Sequence, residues 1–152
     1  MIKIHIASDH AGYEMKNFLK YSLIDMGYEI TDHGPREYNA KDDYPDFIIP
    51  CAEAVAKDPR SVGIILGGSG EGEQIAANKV DDIRALEYYG KNLDAIIFGR
   101  QHNNANILSL GARFMTNEEA LEAVNTFLNT PFSNEERHIH RLEKVRKYDE
   151  KK

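Results

Sequence analysis

Short apolar runs alternate with longer segments of helical period along most of this chain, and that alternation limits its fold more than any other feature. Residues 2–7 read as a strand. A helix follows from Tyr13, with Phe18, Leu19, Leu23 and Met26 on one side, and Gly27 stops it. Residues 28–33 form a second strand and residues 34–43 a polar loop. Pro45 suits the first turn of a helix that carries Ile48, Ile49, Ala52 and Val55 and breaks at Asp58-Pro59. Residues 61–66 are the most continuous buried strand, broken by the glycines of 67–72. The pattern then predicts a helix over 73–80, a strand over 83–88, a helix over 93–100 and a fifth strand over 107–110. Two helices close the chain, over 118–128 and 134–148.

Strands separated by helices pair in parallel through right-handed crossovers, so the expectation is an α/β fold with one doubly wound five-stranded sheet and helices on both faces. Residues 1–148 make one domain, and 149–152 a charged, frayed tail. The final helix has no strand after it and is free to reach a second subunit. Formal net charge is −6, which argues against a broad nucleic-acid surface, so an anionic ligand needs a local positive cluster. No apolar stretch approaches the roughly 18 residues of a membrane helix. With a single cysteine, Cys51, and no signal-like start, a cytoplasmic location is expected.

In a doubly wound sheet, ligands bind beyond the carboxyl ends of the strands. The first strand runs into Ser8-Asp9-His10-Ala11-Gly12 and the third into Gly67-Gly68-Ser69-Gly70-Glu71-Gly72-Glu73. His102-Asn103-Asn104-Ala105-Asn106 precedes the fifth strand and Gly111-Ala112-Arg113 follows it. The glycine loop lets backbone approach a ligand, and the helix after it offers free N–H groups to an anion or oxyanion. Glu73 near that helix start is placed as a resident base in its ionised form, or merely complements the helix dipole. Asp9 and His10 read as an acid–base pair, with Asp9 equally able to cap a helix. His102 reads as a functional group or as part of a surface turn. Arg137 and Arg141, four apart, could grip one phosphate or form a solvated basic face. His138 and His140 point in different directions and read as surface residues; Cys51 reads as core. His5 and His33 receive no role beyond their strand and loop positions.

Taken together, these segments resemble the ribose-5-phosphate isomerase type B and galactose-6-phosphate isomerase family. The resemblance rests on residues 6–12, Asp43-Tyr44-Pro45-Asp46, residues 67–79, residues 102–106 and Leu110-Gly111-Ala112-Arg113, in family order. It implies a Rossmann-like sheet, isomerisation without metal or cofactor, and a homodimer whose sites draw on both subunits. One branch of that family uses a cysteine base at the first position of the glycine loop. Here that position is Gly67, so the resemblance points to the branch with a glutamate base, at Glu73. His102, helped by Asp9, would open the sugar ring. Glu73 would carry the proton between carbons two and one. Ser69 and the amides from Gly68 through Gly70 to Gly72 would steady an enediolate. His10, Arg113, Arg137 and Arg141 would hold phosphate, and Tyr44 and Asn103 the sugar. Ribose 5-phosphate is the expected substrate, with allose or galactose 6-phosphate as the runner-up.

Two other readings of the fold fail on position. A dinucleotide-binding fingerprint follows strand one, but here the glycines follow strand three. A phosphate-accepting signalling domain needs an aspartate after strand three, where this chain has Gly67-Gly68. A homologue that binds sugar phosphate without turning it over is opposed by Glu73, Ser69 and His102.

Overall fold

The computed structural model describes residues 2–152. Its strands are β1 (Lys3–Ser8), β2 (Glu29–Asp32), β3 (Ser61–Gly67), β4 (Ala85–Tyr88) and β5 (Ile107–Gly111). They form one parallel sheet in the order β2-β1-β3-β5-β4. The helices are α1 (Tyr13–Asp25), α2 (Pro45–Lys57), α3 (Glu71–Asn78), α4 (Asp94–Asn103), α5 (Asn117–Asn129) and α6 (Glu136–Asp149). The doubly wound five-stranded sheet read from the sequence is therefore present.

Right-handed crossovers decide which face each helix covers. The chain steps in one direction across the sheet through α1 and α4, and in the other through α2 and α3. The core divides accordingly. Met15, Leu19 and Leu23 of α1, Ile96 of α4 and Ala120, Val124 and Phe127 of α5 pack on Ile4, Ile6, Ile64, Leu66, Leu108 and Leu110. Ile48, Cys51 and Val55 of α2 and Ala76 and Ala77 of α3 pack on Ala7, Ile65 and Ile107. Alternate residues of each strand thus serve opposite faces, as the pleat requires.

Several element ends differ from the sequence reading. Helix α3 begins at Glu71 rather than at residue 73, because Gly70, at φ +84°, turns the chain into the helix. Helix α4 extends through His102 and Asn103, past residue 100 where the sequence reading ended it. Asn104 takes the left-handed conformation at φ +46° and ends the helix there. At α5, Thr116 and Glu119 form a reciprocal capping box. Helix α6 runs to Asp149, and beyond it Lys152 lies 3.3 Å from Asp81. Among the described residues no helix is long and apolar enough to cross a membrane.

Candidate active site

Strands β1 and β3 lie side by side, but β1 leads to α1 on one face and β3 to α3 on the other. Their carboxyl ends therefore part above the sheet, and the side chains of the two following loops meet there. Asp9 accepts hydrogen bonds at Oδ1 from the N–H groups of Ala11 (2.8 Å) and Gly12 (3.1 Å), capping the 3₁₀ turn of residues 10–12. The alternative roles for Asp9 are thus compatible: one oxygen caps, and Oδ2 makes no hydrogen bond within the described residues.

Glu73 is buried, at 4% exposure, although it sits in the first turn of α3. Room for it comes from Gly67: a Cβ there would overlap the Glu73 carboxyl. Burial works against the ionised form that the helix start favours. Burial pushes the Glu73 carboxyl above its ordinary 4.5, and Asp9 adds to the push. Its own backbone N–H and His10 offset only part of this. A raised carboxyl is a stronger base once ionised.

Around it the glycine loop is held open. Ser109, buried on β5, donates to the Gly70 carbonyl at 2.7 Å, and the Arg113 N–H donates to the Gly68 carbonyl at 3.0 Å. The N–H groups of Ser69 and Gly70 have no partner among the described residues. Ser69 is exposed, with its Oγ accepting from the Glu71 N–H at 3.2 Å. The Tyr44 ring, at the start of α2, lies against Gly72, leaving no room for a side chain there.

His10 and Arg113 line one cleft of about 400 Å³, together with Ala11, Glu14 and Tyr38. The imidazole Nδ1 of His10 lies 2.7 Å from Asp42 Oδ1, which also accepts the His10 backbone N–H at 3.0 Å. That carboxylate raises the His10 pKa above 6.5 and favours the charged ring an anion needs.

His102, Asn103, Arg137 and Arg141 do not join this group within one chain. Helix α4 runs back along the sheet, so its last turn lies at the amino ends of β4 and β5. There Arg84 Nε donates to the Asn104 carbonyl at 2.8 Å, and the Asn106 N–H to the Arg84 carbonyl at 3.0 Å. About 16 Å, the length of a five-residue strand, separates that end from the glycine loop. His102 is instead stacked against His138 of α6, the helix that carries Arg137 and Arg141, both exposed. His138 itself is buried, which corrects its assignment to the surface, whereas His140 is exposed.

Three contributors escape the sequence reading. Asp42 sits 32 residues from His10, and only its place in an acidic loop hinted at it. Ser109 lies inside an apolar strand. Glu87 on β4 has a buried Oε1 without a partner, and burial, then Glu71 and Glu73, push its carboxyl up to about 7. His5 and His33, given no role, lie 2.8 Å apart, Nδ1 to Nε2, away from the glycine loop. Cys51 is fully buried in the core, as expected.

Comparison with known proteins gives one consistent result. A family model described as ribose/galactose isomerase matches residues 4–145. The chain is 42% identical over 148 residues to ribose-5-phosphate isomerase B of Mycobacterium tuberculosis, covering 97% of this chain and 90% of that protein. It is similar to the crystal structure of the Mycoplasma genitalium ribose-5-phosphate isomerase B with bound ribulose-5-phosphate. There the TM-score is 0.94 and the identity 36%, covering 99% of this chain and 98% of that one. It is also similar to the Clostridium thermocellum ribose-5-phosphate isomerase B, at TM-score 0.92 and 41% identity, with 99% of each chain covered.

Proposed function

The chain belongs to the ribose/galactose isomerase family, and from that premise we propose that it is a cytoplasmic aldose–ketose isomerase interconverting ribose 5-phosphate and ribulose 5-phosphate through an enediolate. The observation that carries this reading is the buried Glu73 carboxyl, lodged in the space that Gly67 leaves and raised in basicity by burial.

The chemistry needs no redox partner. One proton leaves C2 and arrives at C1, and one moves from the oxygen on C2 to the oxygen on C1. Glu73 takes and returns the carbon-bound proton. Charge that develops on oxygen meets the Ser69 and Gly70 N–H groups and the Ser69 hydroxyl; losing one such donor typically lowers the rate about 100-fold or more. His10, whose charged form Asp42 favours, and Arg113 bind the phosphate in the cleft they share. Tyr44, against Gly72, lines the sugar. No metal takes part, so a chelator should leave activity intact.

His102, helped by Asp9, opens the ring of the aldose, and Asn103, Arg137 and Arg141 complete the sugar and phosphate contacts. The position of His102, Asn103, Arg137 and Arg141, one strand length from Glu73, supports a homodimer in which each site takes these four residues from the other subunit.

Glu73→Gln tests the core of the proposal. It keeps the shape and removes the base, so kcat should fall about 100-fold or more while ribose 5-phosphate still binds. Cys51→Ser should leave activity nearly unchanged, since that thiol is buried in the core. Near wild-type turnover by Glu73→Gln would reject the assignment. A parallel screen over pentose and hexose phosphates reads out the substrate; preference for a six-carbon phosphate would displace ribose 5-phosphate.

A further inference from the structure

Helix α6 is strongly polar, and His138 is the residue it buries, at 5% exposure. The neighbours Arg137, Ile139, His140 and Arg141 are all exposed. The buried ring lies on His102, with centroids 4.4 Å apart and planes 15° from parallel. On the other side, Phe98, one turn earlier on α4, stacks on the same imidazole at 5.2 Å and 21°. His102 is thus clamped between two rings from two helices, a geometry that restricts rotation of its plane.

We propose that His138 is a positioning residue that fixes the plane of His102 for opening the sugar ring. The proposal rests on the role given to His102 above. A histidine on an exposed helix has many rotamers, and a misplacement of about 1 Å can lower a rate about 100-fold. The clamp removes that freedom. The face His138 presents is also suited to the task. Its Nε2 is buried without a hydrogen bond, and the Glu135 carboxylate, 3.7 Å away, is beyond hydrogen-bond reach. Burial, then the neighbouring His102 and Arg137, lower its pKa from 6.5, so at neutral pH an uncharged π face meets His102. An uncharged aromatic face accommodates a ring that becomes cationic when it accepts the anomeric hydroxyl proton, which passes on to O4 as the C1–O4 bond breaks and the C1 carbonyl forms.

Substrate chemistry supplies a readout that a merely structural role would not move. A 5-phosphorylated aldopentose closes through O4 into a five-membered ring and must be opened. The matching 2-ketose has O5 esterified, cannot close such a ring, and reaches the enzyme open. Turnover would be measured in both directions, with ribose 5-phosphate and with ribulose 5-phosphate, for wild type, His138→Ala, His138→Phe and His102→Asn. His138→Ala should lower kcat by about 10-fold to 100-fold on the cyclic aldose and leave the ketose direction near wild type. His138→Phe keeps a flat ring in place and should retain both. His102→Asn should show the same one-sided loss, but larger. Equal losses in both directions, or a shared rise in KM, would mean that His138 only docks α6 and its arginines, and would overturn the proposal. So would a His138→Phe protein as defective as His138→Ala. A His102→Asn protein without one-sided loss would instead remove the ring-opening role of His102, and the proposal would fall with that premise.

Discussion

At the scale of the residue, Gly67 and Glu73 form one unit: a side chain at one position and a carboxyl at the other claim the same volume. Gly67→Ala should therefore act through Glu73. Its kcat should drop about 100-fold, and the double variant with Glu73→Gln should be no worse than Glu73→Gln alone. Additive losses in that cycle would show that Gly67 serves something else. His10 gives a second test, because its pKa is raised by Asp42. Phosphate binding through a charged His10 is present below that pKa and lost as pH climbs through it. The base must be ionised, so the acid limb follows Glu73 and lies above the ordinary 4.5. The pH profile of kcat/KM should be a bell. Asp42→Asn should move its alkaline limb down toward 6.5, leaving the acid limb in place. An unmoved alkaline limb would detach His10 from it.

The elements show what could be read ahead of the structure and what could not. The five strands and six helices follow from apolar period, and the glycine loop from its composition. Other features turn on partners distant in sequence. Lys16 is a lysine on the apolar side of α1, 1% exposed, and nothing local marks it as buried. Its ammonium is met by Asp32, 2.8 Å away at the end of β2, and by the Pro35 carbonyl at 3.1 Å. The helix over 93–100 reads as ending short of His102 for a related reason: asparagines are weak helix formers, and only the packed structure shows α4 carried on to Asn103. Asp32→Asn strips the buried ammonium of its counter-charge and should destabilise the fold by on the order of 3–5 kcal/mol at neutral pH. Burial pushes the Asp32 carboxyl up, but Lys16, the Gly34 N–H and Lys20 more than offset this and hold it below 3.8. The carboxylate's contribution is therefore present above that value and lost as pH falls through the depressed one. Denaturation midpoints of wild type and Asp32→Asn should converge in acid; a constant gap would assign the loss to packing.

For the molecule as a whole, the sheet holds the two halves of the proposed chemistry at its opposite ends. The sequence announced both halves as motifs but not their separation, since which end of a helix lies near which end of a strand is a matter of topology. Mixing exchangeable Glu73→Gln and His102→Ala subunits tests the consequence. A heterodimer gathers both lesions into one site and leaves the other whole, so activity should recover to about half that of a wild-type dimer. An active monomer in light scattering, or a dimer that fails to complement, would put His102 and Glu73 in sites that do not span the interface. If the sites do span it, a solitary folded chain owns no complete site, only two incomplete ones. Turnover per milligram would then fall on dilution below the dimer's dissociation constant, and total activity would vanish with the square of protein concentration while every chain remained folded.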